Sequence, residues 1–381
     1  MPFDTRYPSV EALREKARRR MPGFAFDYLD GGCNEDLNLD RNTRELREVR
    51  VEPRYIRPFE AADTSCELFG HRYDAPFGIA PVGLQGLMWP NSPEILAKAA
   101  FAHNIPFILS TVTTLSIERA AELTEGRAWF QLYNPVEEKV RNDLLDRAAQ
   151  AGCPVLVVLC DVPTFGYRPR DIRNGLALPP KMSARNILQI LGKPTWALQT
   201  LRHGQPTFES LKPYTPEGLN LKQLGLFMNK TFSGQLDPEK LKPIRDQWKG
   251  KLVLKGVASQ WDAQQALDLG FDGIIVSNHG GRQLDAGEAS IQPLTRLARE
   301  FGDRMTVMVD SGLRSGPDVA RAMASGAAFS FMGRTFMYGA GALGNNGGDH
   351  TIAMLKTQFR QIMEQLCCSR VADLPDHLIT D

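Results

Sequence analysis

No stretch of this 381-residue chain runs to eighteen apolar residues, so nothing in it asks for a membrane span. Charge of one sign is missing too: 45 basic side chains face 44 acidic ones, leaving a net charge of +1. No global field points to nucleic acid, and a bound anion must be held by local charges. The six cysteines (Cys33, Cys66, Cys153, Cys160, Cys367 and Cys368) show neither a CxxC spacing nor a paired framework. They read as structural thiols in a reducing compartment, and no metal centre is expected. Cys367 and Cys368 fall in a helical-looking stretch, where burial is expected rather than chemistry. The opening MPFDTRYPSVEALREKARRR has no apolar core of signal-peptide length. A cytosolic location is expected, subject to the insertion described below.

What the chain does have is rhythm. The first 70 residues read as a helical extension, with Ser9 as the N-cap of a helix from Val10 and a second helix over Phe24–Leu29 ended by Gly31-Gly32. This extension could close one end of whatever follows. From residue 77, short apolar runs recur at Phe77–Val82, Pro106–Ser110, Ala128–Tyr133, Val155–Cys160, Leu252–Lys255, Gly273–Ser277, Thr306–Asp310 and Phe329–Gly333. They are too short for helices and rich in Val, Ile and Phe, as parallel strands covered on both faces should be. Most intervals are about 17 to 28 residues, room for a loop and one amphipathic helix. Pro93–Phe101, Ile117–Leu123, Gln260–Leu269 and Asp318–Ala324 fit such helices. Eight even units predict a (β/α)8 TIM barrel occupying one domain, with an open doubly wound sheet as the alternative.

One interval breaks the pattern. Residues 161–251 separate the fourth and fifth runs, and long barrel insertions usually follow strand C-termini as lids or binding loops. Residues 175–240 are assigned to such an insertion. Within it Ile187, Leu188, Ile190, Leu191, Trp196, Leu198 and Leu201 lie among Lys181, Arg185, Lys193, Arg202 and His203. An apolar side with basic flanks suits a membrane interface; the competing reading is a helix packed on its own barrel or on a neighbouring subunit. The location then becomes the cytoplasm or the inner face of the cell membrane.

Catalytic groups of such barrels sit at strand C-termini. Here those ends carry Ser110, Gln131 and Tyr133, Asp161, Lys255, Ser277 and His279, Asp310 to Arg314, and Gly333-Arg334. Stability alone does not ask for polar groups at nearly every end. The seventh and eighth ends, with Gly312, Arg314, Gly333 and Arg334, offer glycines for close backbone approach and two guanidinium forks, a natural phosphate site. His279, beside Gly280-Gly281, suits a general base, Asp161 could orient it, and Arg168 and Arg282 could fork onto a carboxylate. Lys255 places positive charge where a reduced, anionic ring would need it.

These residues sit in motifs. FDYLDGG, FQLY, LVLKGV, SNHGGRQLD, VDSGLRSG and FMGR occur in that order from about Phe24 onward, and the chain resembles the FMN-dependent 2-hydroxy acid dehydrogenases and oxidases, which include glycolate oxidase, lactate dehydrogenase and mandelate dehydrogenase. The resemblance implies FMN as cofactor, a 2-hydroxy acid oxidised to a 2-oxo acid, and a homotetramer. It implies His279 as the base, taking either the α-proton or the hydroxyl proton, with Asp161 as its charged partner. Arg168, Arg282 and Tyr28 match the substrate-carboxylate contacts, and Tyr133 the tyrosine near the reacting hydroxyl. Lys255 matches the lysine beside the flavin N1–C2=O edge. Ser110, Gln131 and Ser277 match ring or ribityl contacts, and Asp310, Gly312, Arg314, Gly333 and Arg334 the ribityl-phosphate region.

The chain departs from the glycolate-oxidase pattern at three strand ends: Val112 for a tryptophan, Leu159 for a threonine and Val82 for a threonine. Valine in place of an indole leaves room for a substrate side chain larger than that of glycolate. These small residues, Gly83 and the stretch PTWALQTLRHGQP are similar to the mandelate and lactate dehydrogenase branch, which passes electrons to a quinone or other carrier; an oxygen-using oxidase is the near alternative. A phosphate-site isomerase or an NAD-linked enzyme is disfavoured by the base-and-arginine set and by the lack of a GxGxxG turn. A non-catalytic docking barrel is the remaining alternative.

Overall fold

The computed structural model describes residues 3–176, 182–204, 206–216, 231–232 and 235–380. Each apolar run forms a strand: β3 (Phe77–Ile79), β4 (Ile108–Ser110), β5 (Trp129–Leu132), β6 (Val155–Leu159), β7 (Lys251–Val257), β8 (Gly273–Val276), β9 (Thr306–Val309) and β10 (Phe329–Met332). All pair in parallel, in the order β3-β10-β9-β8-β7-β6-β5-β4. A bridge between Ile79 and Phe107 joins the two ends, and the Ile79 N–H donates to Pro106 O at 2.9 Å. The sheet is thus a closed barrel. The four helices read from the sequence form at Ser92–Ala102, Ile117–Thr124, Gln260–Asp268 and Gly316–Ala324.

Closure explains the burial pattern. In a strand, successive side chains face opposite sides. Val155, Val157, Val253, Ile275 and Met308 pack together inside the barrel with Ile108, Trp129, Phe329 and Phe331. Their neighbours Leu156, Val158, Leu252, Leu254, Ile274, Val276, Val307 and Val309 face outward into the layer shared with the helices. Both faces of every strand are therefore dry, which is why the runs are continuous rather than alternating.

The extension differs from its expectation in one respect. α1 (Val10–Arg20) starts at Ser9, whose hydroxyl accepts from Ala12 N at 3.2 Å, and α2 covers Gly23–Asp30. A third helix, α3 (Leu37–Glu48), follows. Residues 66–73, however, are not helical: β1 (Cys66–Leu68) and β2 (His71–Tyr73) make an antiparallel hairpin around Phe69-Gly70. Two three-residue strands with Glu67 and Arg72 exposed carry too little periodicity to be seen in sequence. The hairpin immediately precedes β3, at the barrel's N-terminal end. Leu68 and Tyr73 enter the interior cluster, with Tyr73 5.7 Å from Phe329 and Phe69 5.9 Å from Trp129 between ring centroids. The helices of the extension go elsewhere: α1 packs along the helix Arg334–Leu343 that follows β10, and α2 reaches the strands' C-terminal ends.

The long insertion contains helices Pro169–Arg173, Ala184–Leu191, Pro194–His203 and Pro238–Gln247, and a 3-10 turn at Glu209–Tyr214. Lys181, one of the basic flanks read from the sequence, lies outside the described residues. Trp196 does not belong to the insertion's outer apolar face. It is buried, donates from Nε1 to Met88 O at 3.0 Å, and stands edge-on to Phe24, 5.9 Å away. An indole has an N–H that needs a partner, and here the barrel side supplies it. Cys367 is not helical either: the last long helix ends at Leu366, Cys367 is left-handed, and Cys368 is the buried one.

Candidate active site

The interior alternation continues one step past the apolar layer. Two residues beyond Ile108, Trp129, Val253, Ile275 and Met308 stand Ser110, Gln131, Lys255, Ser277 and Asp310, all buried. By the two-residue period these side chains form the next inward layer, at the C-terminal mouth. Two of its contacts cross strands: Lys255 Nζ lies 2.9 Å from Asp310 Oδ2 and donates to Ser277 Oγ at 3.1 Å. Burial by itself would strip the Lys255 proton, but Asp310 and Asp161 outweigh it, and the pKa is raised. The ammonium is a fixed positive charge.

Immediately after β8 the backbone takes three left-handed residues in succession: His279 (φ 57°), Gly280 (φ 65°) and Gly281 (φ 73°). For histidine this is an uncommon conformation, so the surroundings must hold it. They do. Ser277 Oγ accepts from His279 N at 3.0 Å, and Ser311 Oγ accepts from Gly280 N at 2.9 Å while donating to Asp310 Oδ1. Asn278 exchanges two amide hydrogen bonds with the buried Asn42 of α3, at 2.7 and 2.9 Å. The turn thereby presents the imidazole to the cavity with Nδ1 3.1 Å from Asp161 Oδ1.

That pair is electrostatically uneven. Burial lowers the His279 pKa below its ordinary value, against the pull of Asp161, so the ring is neutral at neutral pH. Asp161 is also buried, which would raise its pKa; His279 and Lys255 overcome this and it is lowered. Its second oxygen, Oδ2, has no hydrogen-bond partner among the described residues. A buried carboxylate with spare acceptor capacity is suited to stabilising a proton arriving on the imidazole.

The cations gather around one carboxylate. Arg282 Nη2 lies 3.8 Å and Arg168 Nη1 3.9 Å from Asp171 Oδ2, and the Arg282 guanidinium stacks 4.8 Å from the centre of the Tyr28 ring. Arg282 also donates to Tyr28 O and Gly31 O, at the end of α2. Arg334 donates to Leu29 O, Gly280 O and Gly31 O at 2.7 to 3.0 Å. Burial, then the neighbouring Arg314 and Arg282, push the Arg334 pKa down to about 9. An anion here would relieve that excess of positive charge. Gly312 (φ 89°) lies so close to α3 that a Cβ would stand 2.7 Å from Asn42 O, so only glycine brings this backbone in.

A cavity of about 800 Å³ joins these groups. Its wall includes Tyr28, Tyr133, Arg168, Lys255, His279, Arg282, Asp310, Gly312, Arg314, Gly333 and Arg334 on the barrel side, together with Val82 and Val112. Toward the insertion it continues along Met88, Leu176, Ile190, Leu191, Trp196, Leu201 and Phe208. Ser110, Gln131 and Ser277 are buried, Ser277 is hydrogen-bonded to Lys255, and Asp161 to His279. Burial pushes the Tyr133 phenol well up, so it remains an O–H donor, with its ring 5.9 Å from Phe232. Asp171, Ser311, Asn278 and Gln283, given no role from the sequence, make the contacts that fix the groups selected there. For three of them the signal was adjacency, since Asn278 and Gln283 lie inside SNHGGRQLD and Ser311 inside VDSGLRSG.

The fold and site place the protein among flavin-binding barrels, and the comparisons agree. The profile of FMN-dependent dehydrogenases matches residues 17–381. An L-lactate dehydrogenase of Caulobacter sp. (strain K31) is 38% identical over 356 residues, covering 93% of each chain. The (S)-mandelate dehydrogenase of Pseudomonas putida is 33% identical over 371 residues, covering 97% of this chain and 93% of its own. Among solved structures, the monotopic membrane protein (S)-mandelate dehydrogenase superposes with a TM-score of 0.93 at 33% identity, covering 98% of this chain and 99% of that one. This chain belongs to the FMN-dependent dehydrogenase family. The residues present fit that cofactor: the Arg334 and Arg314 corner for a phosphate, and the buried Lys255 ammonium for an electron-rich ring.

Proposed function

We propose that this enzyme oxidises (S)-2-hydroxy acids larger than glycolate, of the lactate and mandelate kind, to 2-oxo acids and passes the electrons to a quinone or another carrier. The observation that carries the reading is the convergence of a neutral, carboxylate-backed His279 and two guanidiniums, Arg168 and Arg282, on one cavity wall. FMN, when bound, accepts the two electrons. Arg168 and Arg282 hold the substrate carboxylate, with the Tyr28 ring supporting Arg282. That fixes the C2 carbon near His279, which takes a proton from the substrate; Asp161 stabilises the imidazolium that results. The Tyr133 phenol, kept protonated by burial, donates toward the hydroxyl oxygen. The Lys255 ammonium would offset negative charge on a bound, reduced ring. The Arg334, Arg314, Gly312 and Gly333 corner would take the cofactor's phosphate, and Asp310, Ser110, Gln131 and Ser277 would hold its ribityl chain and ring edge.

Val82 and Val112 on the wall support the preference for larger side chains. The insertion would act as the lid of the cavity, and its outer surface favours a membrane-peripheral site: Leu188 is 69% and Leu198 65% exposed, with Ile187 also exposed. The solved relative described as a monotopic membrane protein supports the same placement. Among the described residues no helix is long and apolar enough to cross a membrane.

The test is anaerobic mixing of the FMN-loaded enzyme with glycolate, lactate, mandelate and a long-chain 2-hydroxy acid while the flavin absorbance is followed. Bleaching by lactate or mandelate, faster than by glycolate, is expected; no bleaching by any of the four would overturn the reading. Reduction of an artificial quinone with little peroxide formed under air would separate a dehydrogenase from an oxidase.

A further inference from the structure

The segment SNHGGRQLD contributes His279 and Arg282 to the site, but its next residue also does something specific. The Gln283 side chain makes four hydrogen bonds, all to the loop that follows β6. Its Nε2 donates to Thr164 O at 2.8 Å and to Asp161 O at 3.2 Å. Its Oε1 accepts from Arg168 Nη2 at 3.1 Å and from Gly166 N at 3.3 Å. A primary amide has two donors and two acceptor positions, and here all four are used. No other side chain of that size offers both. The two loops are in close contact besides: a Cβ on Gly166 would stand 2.2 Å from Arg282 O, and Arg168 Nε donates to the same carbonyl at 3.4 Å.

We propose that Gln283 is a positioning residue that aims the Arg168 guanidinium at the substrate carboxylate, using a neutral acceptor so that the arginine keeps its charge for the substrate. This rests on the reading of Arg168 as a carboxylate-binding residue. The choice of amide is what matters. A carboxylate at 283 would pair with Arg168 directly and compete with the substrate, and it would also set an oxygen against the carbonyls of Asp161 and Thr164. An apolar side chain would free a long guanidinium to sample several rotamers, each sampled state lowering the occupancy of the binding one. Asp171, about 4 Å from both arginines, offsets their charge from beyond hydrogen-bond distance, whereas Gln283 Oε1 accepts a hydrogen bond from Arg168 Nη2 at 3.1 Å.

The experiment compares Gln283→Met, Gln283→Glu, Arg168→Met and the double variant Gln283→Met with Arg168→Met, all FMN-loaded, with (S)-mandelate and (S)-lactate. For Gln283→Met the KM should rise about tenfold, the equivalent of one hydrogen bond to a charged group, while kcat changes by less than about threefold. Gln283→Glu should raise KM further than Gln283→Met. In the double variant the Gln283 substitution should add almost nothing, because its effect runs through Arg168. A Gln283→Met enzyme with unchanged KM, or one whose loss adds in full to that of Arg168→Met, would overturn the proposal. If Arg168→Met alone leaves KM unchanged, the failure lies in the substrate-binding reading of Arg168. Should Gln283→Glu not fold, the Met variant and the double variant still decide the matter.

Discussion

At the scale of the residue, the site is a small set of charges whose protonation is fixed by burial. His279 does the work of a base only when neutral. Its lowered pKa means that the neutral form persists to a lower pH than for an ordinary imidazole. The acid limb of kcat/KM should therefore have an apparent pKa below about 6.5, with activity lost as pH falls through it and flat above. Replacing Asp161 by Asn removes the attraction that favours the imidazolium. The limb should move to still lower pH, and the plateau should fall because the protonated ring is no longer stabilised; a limb moving upward would contradict the pairing. His279→Gln should bind FMN normally and slow flavin reduction by substrate by about two to four orders of magnitude, read by stopped flow. An undiminished rate would remove His279 from the role of base. Most of these residues were legible in the sequence because their motifs and the strand-end rule pointed to the same positions. Asp171 was not: a lone acid in a basic stretch, RPRDIR, carries no signal until folding sets it between Arg168 and Arg282.

At the scale of the element, the strands were legible and the short or packed pieces were not. Doubly buried strands announce themselves by continuous Val, Ile and Leu, as in VLVVL at Val155–Leu159. The hairpin Cys66–Tyr73 gives no such sign, because its strands are three residues long and bury one side only. In the insertion, helical periodicity identified an apolar side, but which of its members faced the barrel depended on a hydrogen bond from Trp196 to a carbonyl more than a hundred residues away. What remains outside is a row of leucines on Ala184–Leu191 and Pro194–His203. Changing Leu188 and Leu198 together to Asp should reduce co-sedimentation with anionic phospholipid vesicles by about tenfold or more, since each buried leucine is worth about 1.5–3 kcal/mol. Thermal stability should change little, as both side chains are largely exposed. Unaltered vesicle binding would assign this face to another partner.

At the scale of the whole molecule, the barrel has two ends with different tasks. The N-terminal end is stoppered by the hairpin, and above it the tilted rings of Trp129, Phe329 and Phe331 fill the interior, with centroids 5.3 to 5.5 Å apart along the series. Trp129→Ala should destabilise the protein by about 3–5 kcal/mol and lower its melting temperature. KM for the substrate should be nearly unchanged at temperatures where the variant is folded. A large rise in KM with little loss of stability would mean that Trp129 shapes the mouth rather than the interior below it. The other end is closed by α2, which Arg282 and Arg334 grip by the carbonyls of Tyr28, Leu29 and Gly31.

That grip has a consequence for how the protein is made. Arg334 and Leu29 are 305 positions apart, and α1 rests on the helix that begins at Arg334. A chain leaving the ribosome N-terminus first exposes α1 and α2 long before their partners exist. α2 meets partners in the insertion part-way through, but the carbonyls of Leu29 and Gly31 wait for Arg334 while seven barrel strands are synthesised. Only when residues 329–343 have emerged can β10 close the barrel and the arginine reach back to the first helices, a long-range step of the kind that slows folding. The catalytic mouth is therefore finished at the end of biosynthesis, by a meeting of the two ends of the chain.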